Sequence, residues 1–207
     1  MINLYHIDCM EFMADKPDKY YDLAIVDPPY GIGVDEINFG AREFKNASCD
    51  GKGWDNKRPS EAFFNELTRI SKHQIIWGAN YFNCFDGKHG AIIWDKQQPL
   101  PTSSQCEIAS CTLHQKVALY RQMWTNYVND KSTNHPTEKP VKLYEWLLMN
   151  YAKPGDKILD THGGSGSICI ACHNLGFDLD WCELDAEYFE AAKKRFEIHK
   201  AQLRMFQ

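Results

Sequence analysis

Short apolar runs alternate with amphipathic stretches along this chain. Residues 2–7 read as a strand closing at Asp8, and residues 10–16 as a helix stopped by Pro17. Residues 23–26 (Leu-Ala-Ile-Val) form a second strand. Residues 31–59 are rich in glycine, asparagine and charge, too long for an ordinary connector, and read as a functional loop. Pro59-Ser60-Glu61 opens a helix through Ile70, with Phe63, Phe64, Leu67 and Ile70 at helical spacing. Residues 74–77 and 91–94 are apolar strands, and residues 106–128 read as short β segments joined by turns. A helix over 141–151 ends at Lys153-Pro154-Gly155. A strand over 157–160, a helix over 167–175, a strand over 179–182 and a long helix over 186–202 follow. Alternating element types predict a parallel sheet with helices on both faces.

Composition narrows the class. With 207 residues, 43% hydrophobic and 25% charged, the chain suits one globular core. No apolar run reaches the roughly 18–20 residues that span a bilayer. The N-terminal MINLYHIDCMEF lacks a secretory pattern, so a cytoplasmic location with reduced thiols is expected. The one CxxC, Cys169–Cys172, precedes His173. That spacing matches covalent haem attachment, but one turn of a buried helix with cysteines as small fillers is the favoured reading. The net charge of −5 does not advertise a nucleic-acid partner. Residues 42–58 carry five basic and three acidic side chains, and residues 114–142 five and two. By composition alone both read as solvated loops.

The chemistry lies at the strand ends, where open α/β sheets bind ligands. Four predicted ends carry acids: Asp8, Asp27, Asp160 and Glu183. After Asp160 comes Thr161-His-Gly-Gly-Ser-Gly166, a turn that brings backbone N–H groups close to a ligand at a helix N-terminus. Glu183, 17 residues after Gly166, is placed to accept from both hydroxyls of a ribose. Loop plus acid points to a nucleoside cofactor. Neither a phosphate loop with Gly-Lys-Ser/Thr nor GxGxxG is matched. The other motif is Asp27-Pro28-Pro29-Tyr30. Two prolines stop the strand and stiffen its end. An exocyclic amine on an aromatic base is a poor nucleophile. The Asp27 carboxylate and the Pro28 carbonyl would accept its two N–H groups, with Tyr30 stacked on the ring. An ordinary Pro-Pro turn is the bland alternative.

These motifs resemble those of the S-adenosylmethionine-dependent DNA amino-methyltransferases, specifically the circularly permuted adenine-N6 group called β class. The likeness covers nearly the whole chain. Asp27-Pro-Pro-Tyr30 resembles the catalytic motif and Asp160–Ser167 the cofactor loop. Glu183, in Trp181-Cys-Glu-Leu-Asp185, resembles the ribose-binding acid. His135-Pro-Thr-Glu-Lys-Pro140 resembles the element contacting the methionine end of the cofactor, and Asp8-Cys9 the position touching its adenine. The resemblance implies cofactor contacts from Asp8, Cys9, Asp27, Lys139, Asp160, His162, Gly163, Gly164, Ser165, Gly166, Ser167, Glu183 and Leu184. It implies catalysis by Asp27, Pro28, Pro29 and Tyr30, with no metal. Trp77-Gly-Ala-Asn80-Tyr-Phe82 resembles a motif lining the base pocket, with core packing of Trp77 and Phe82 the alternative. Thr161-His162 departs from the usual Pro-Phe, and the stretch over 107–134, where target recognition is expected, is short.

The resemblance implies a seven-stranded, mostly parallel doubly wound α/β sheet with one antiparallel strand. It implies one catalytic domain over 1–207 and a double-stranded DNA substrate with its adenine flipped out. The enzyme would belong to bacterial or phage restriction-modification, acting without a membrane and as a homodimer or with an accessory subunit. Arg42, Trp54, Lys57, Arg58 and His135 are candidate DNA contacts, though Trp54 also reads as the anchor of a surface loop. Alternatives are cytosine-N4 in DNA, adenine in RNA, and a catalytically silent DNA-binding or partner-organising subunit.

Overall fold

A computed structural model describes residues 1–33, 53–85, 87–97, 104–123 and 137–204. Strands β1 (Ile2–His6), β2 (Tyr21–Val26), β3 (Ser71–Trp77), β4 (Gly90–Asp95), β5 (Cys106–Cys111), β6 (Val117–Arg121), β7 (Lys157–Asp160) and β8 (Asp178–Glu183) form one sheet. Their order is β1-β8-β7-β2-β3-β5-β4-β6. The sheet thus has eight strands rather than the expected seven among the described residues. The single antiparallel strand is borne out: β5 runs against both β3 and β4, and every other neighbouring pair is parallel. The extra strand is β6, whose Val-Ala-Leu-Tyr-Arg sequence half-buries alternate residues at the sheet edge.

Helices α1 (Cys9–Ala14), α2 (Glu61–Ile70), α3 (Val141–Tyr151), α4 (Ser167–Leu175) and α5 (Ala186–Arg204) cover both faces. Central strands are buried on both sides, so they read as apolar runs rather than alternations. Leu23, Ile25, Ile75, Trp77, Ile158 and Trp181 meet α3, α4 and α5 in one core. Ala24, Val26, Ile76, Leu159 and Cys182 meet Phe12 and Met13 of α1 and Phe63, Leu67 and Ile70 of α2 in the other. Successive strand residues point to opposite faces, so adjacent positions supply opposite cores. Cys169 and Cys172 are buried in the first core, which fits the filler reading and leaves haem attachment no accessible thiols. No helix among the described residues is long and apolar enough to cross a membrane.

Leu147 on α3 is fully buried, whereas Met149 two residues on is 63% exposed. Leu147→Ala should cost about 2–5 kcal/mol, and Met149→Ala should stay within about 0.5 kcal/mol. Urea unfolding midpoints of the two variants check this.

Candidate active site

Register sets the geometry of the carboxyl edge. Ala24 pairs with Leu159 and Asp160 with Trp181, while His6 pairs with Glu183. Continued past the strand ends, the first two pairings set Asp27 level with His162 and His162 level with Glu183. Asp27 and Glu183 therefore share one edge of the sheet. The strands carrying them lie two positions apart in the sheet, about 10 Å.

Asp27 follows β2 directly and is mostly buried. Its Oδ1 accepts from the Tyr30 hydroxyl at 2.6 Å. Its Oδ2 is paired with Lys139, just before α3. Only 2% of the Lys139 side chain is exposed, and its Nζ also lies 3.0 Å from Glu107 Oε2 on β5 and 3.4 Å from the Tyr30 hydroxyl. Glu107 in turn pairs through Oε1 with Lys96, beyond the end of β4. Burial pushes the Asp27 carboxyl above its ordinary value, with Lys139 opposing and Glu107 adding to the rise. Burial works against the Lys139 ammonium, yet Asp27 and Glu107 together hold its pKa above normal. Glu107 is buried too, but Lys139 and Lys96 keep it down at about 2. Two carboxylates and two ammonium groups thus alternate from the β4–β5 side of the sheet to the tip of β2.

The loop after Asp27 is clamped by the start of the next described segment. Asp55 is 1% exposed. Its Oδ1 accepts from Tyr30 N at 2.6 Å and Gly31 N at 3.0 Å, and its Oδ2 from Ile32 N at 3.3 Å. Arg58 Nε donates to the Tyr30 carbonyl at 3.0 Å. Three orphan N–H groups and one carbonyl are satisfied this way, so Tyr30 is fixed at both backbone and hydroxyl. The structure therefore places Arg58 on the Tyr30 loop through its guanidinium; Lys57 is exposed and Trp54 partly buried. Arg42 and His135 lie outside the described residues.

The Tyr30 ring stacks on Tyr81 with centroids 4.9 Å apart and planes at 20°. Gly78, at φ +72°, lies against the same ring, and a Cβ there would sit 2.2 Å from Cε1. The Trp77–Phe82 motif thus splits its duties: Trp77 is core, Gly78 and Tyr81 touch Tyr30, and Phe82 packs on Tyr30 and Phe64.

Beside this lies the glycine loop. Gly163 passes so close to the buried Trp181 ring that a Cβ would sit 1.8 Å from it, which explains the residue's smallness. Gly166 caps α4 in the left-handed region without a side-chain cap, and Ser167 at the helix start is buried. Glu183 Oε2 accepts from Gly164 N and Oε1 from Asp185 N, both at 2.8 Å. Each oxygen keeps lone-pair capacity, so the carboxylate fits two adjacent ribose hydroxyls. Ser167 Oγ donates to Glu138 Oε1, and Arg195 joins Ser165, Ser167 and Glu138 behind the loop.

Asp160 accepts from His162 N at 3.0 Å, and burial pushes its carboxyl up to about 8. His162 meets Phe63 edge-on, and burial lowers it to about 4, so its ring is neutral and aromatic like the phenylalanine it replaces. Asp8 caps α1, accepting from Met10 N and Glu11 N, and so presents Cys9 at that helix's first position. Leu184 is 65% exposed just past Glu183, available to a flat ligand. The loop, Glu183 and the carboxylates facing it fit a cationic nucleoside such as S-adenosylmethionine.

Sequence reading missed Glu107, Lys96 and Asp55 as members of the site. Glu107 carried a signal: it is the only acid inside the strand sequence Cys-Glu-Ile-Ala-Ser-Cys.

Comparisons with known proteins agree with the geometry. A DNA methylase family model matches residues 94–194, spanning Lys96, Glu107, Lys139, the glycine loop and Glu183. The Type II methyltransferase M2.DpnII of Streptococcus pneumoniae is 24% identical over 94% of this chain and 89% of its own length. The crystal structure of the M1.HpyAVI–SAM complex superposes with a TM-score of 0.63 at 22% identity, covering 94% of this chain and all of that one. The cytosine-N4-specific PvuII DNA methyltransferase superposes at 0.62 with 14% identity, covering 94% of this chain and 86% of that one. At these identities the structural likeness establishes a shared fold, the Rossmann-like methyltransferase sheet.

Asp160 gives a pH signature. The unfolded chain releases this proton near the ordinary value of 3.8, whereas the folded chain keeps it up to about 8. Stability from this group is therefore complete below about 4 and is lost as pH rises to about 8. Asp160→Asn should match the wild type in urea unfolding at pH 4 and exceed it at pH 9.

Proposed function

We infer that this chain, a member of the DNA methylase family, transfers a methyl group from S-adenosylmethionine to the exocyclic N6 amine of adenine in DNA. The observation that carries this reading is the shared sheet edge: a rigid Asp27-Pro-Pro-Tyr30 tip beside a glycine loop backed by Glu183. S-adenosylmethionine supplies the methyl group as a sulfonium electrophile. Glu183 would hold the ribose hydroxyls, and the glycine loop over Gly163–Ser165 with exposed Leu184 would line the remaining contacts.

The chain's own residues prepare the nucleophile. Adenine leaves the duplex, because its amine is unreachable within the stack. Asp27 and the Pro28 carbonyl accept its two N–H groups, which raises electron density on nitrogen as the N–C bond forms and the S–C bond breaks. The surplus proton then leaves nitrogen for water. Pro28 and Pro29 fix both acceptors in advance, so little ordering entropy is lost at reaction. Tyr30 provides the stacking surface. Its ring now carries Tyr81, so a base must slide between the two rings or displace Tyr81. Aspartate rather than serine at the first motif position favours adenine over cytosine.

One catalytic domain over 1–207 carries these roles. The stretch at about 107–134 is assigned target recognition: its first part forms β5 and β6, and residues 124–134 lie outside the described residues. Its shortness favours help from a second copy or an accessory subunit. Arg42, Lys57 and Arg58 are assigned to DNA phosphates and Trp54 and His135 to other DNA contacts, in a cytoplasmic restriction-modification setting.

Purified protein with labelled S-adenosylmethionine and unmethylated DNA should yield methyladenine by nucleoside chromatography. Methylcytosine alone, or no product, would contradict the assignment. Asp27→Ala should lower transfer by at least about 10²–10³-fold, while calorimetry shows cofactor binding close to wild type.

A further inference from the structure

Beyond the tetrad, the site holds charge that the reaction scheme leaves unused. Glu107 and Lys96 sit on β5 and after β4, outside every motif that marked the site. They are paired with each other, and Glu107 reaches Lys139 at 3.0 Å on the side away from Lys96. Their side chains are only 18% and 13% exposed. Burying an ammonium costs several kcal/mol unless it is well paired, by the order of magnitude for interior ions. One carboxylate would suffice for Lys139, yet it has two.

We propose that Glu107 and Lys96 are positioning residues that act through Lys139 to set how firmly Asp27 is held and how much negative charge it offers the amine. Lys139 Nζ stands between Asp27 Oδ2 and Glu107 Oε2, so each carboxylate draws it from the other. Lys96 tempers the pull of Glu107 by neutralising its far oxygen. The balance leaves Asp27 partly neutralised: ionised enough to accept an N–H, and not locked into an exclusive pair. The inference rests on the methyl-transfer reading for its consequence in rate, but not for the charge balance itself.

The groups facing Asp27 come from every element around it. They are Tyr30 in its own loop, Lys139 and Tyr144 from the α3 side, Glu107 on β5, and Asp160 on β7. Of these, Lys139 and the Tyr30 hydroxyl favour its ionised form, while Glu107 and Asp160 oppose it. Neutralising Glu107 therefore lets Lys139 settle on Asp27 and lowers the pH at which Asp27 loses its proton. Neutralising Lys96 strengthens the pull of Glu107 on Lys139 and raises that pH. Two substitutions that both remove one charge, at residues away from the tetrad, should move the same titration in opposite directions.

The test compares wild type, Glu107→Gln and Lys96→Met. Carboxyl 13C NMR follows the Asp27 titration directly, without turnover, and kcat/KM from pH 5 to 9 follows it through transfer. Glu107→Gln should move both the NMR midpoint and the acid limb down by about 0.5–1 pH unit, with kcat about 10–100-fold lower and cofactor Kd unchanged. Lys96→Met should move both up. Shifts of the same sign in the two variants, or none, overturn the proposal. Should Glu107→Gln fail to fold, Lys96→Met decides alone: an upward midpoint supports the proposal and an unmoved one overturns it. Shifted NMR midpoints in a protein without transferase activity would uphold the charge balance and refute the functional reading. Transfer with an unmoved Asp27 would do the reverse.

Discussion

The site is organised around one buried ammonium. Lys139 joins two carboxylates that arrive on different strands, and without it Asp27 would face Glu107 with no cation of its own, Glu107 keeping only Lys96. A hydrophobic replacement of such a cluster is often no less stable, so the pairing is better explained by geometry than by stability. It fixes the Asp27 carboxylate, the Tyr30 hydroxyl and the segment leading into α3 in a single arrangement before any substrate arrives.

The sheet makes that arrangement productive. Parallel β2, β7 and β8 end at the same edge, so the Asp27–Tyr30 segment after one and Glu183 at the end of another lie on the same side of the sheet. Antiparallel β5 enters from the opposite direction. Its beginning, with Glu107, therefore lies at the edge where the parallel strands finish. The reversal of one strand is what lets a residue from the far half of the sheet reach the Lys139 ammonium that pairs with Asp27. The 53–58 segment completes the frame from outside, tying the Tyr30 loop down through Asp55 and Arg58.

Much of this was legible in the sequence. Apolar runs bounded by Pro and Gly located β2, β3, β4 and β7, and α3 and α4 fell where helical spacing and capping put them. Asp27, Tyr30 and Glu183 were readable because strand ends with acids and glycine turns are local features. What stayed hidden depends on contacts between distant residues. The Lys139 ammonium was assigned to the cofactor, whereas the fold sends it to a carboxylate 112 positions earlier in the chain. Arg58 was read as a DNA contact and Asp55 as part of a charged loop, because no local pattern says that a carboxylate will meet three N–H groups 23 to 25 residues back. Edge strand β6 lay within the short β segments read over 106–128, but the count of seven strands came from the resemblance and left no place for it.

The central claim is that β2 and β8 present acceptor and cofactor sites to one shared space. A crystal structure with S-adenosylhomocysteine tests it most directly. The account predicts ribose hydroxyls on Glu183 and the sulfur turned toward the Asp27–Pro28 edge. A ligand held away from Glu183, or one whose sulfur faces away from Asp27, would contradict it.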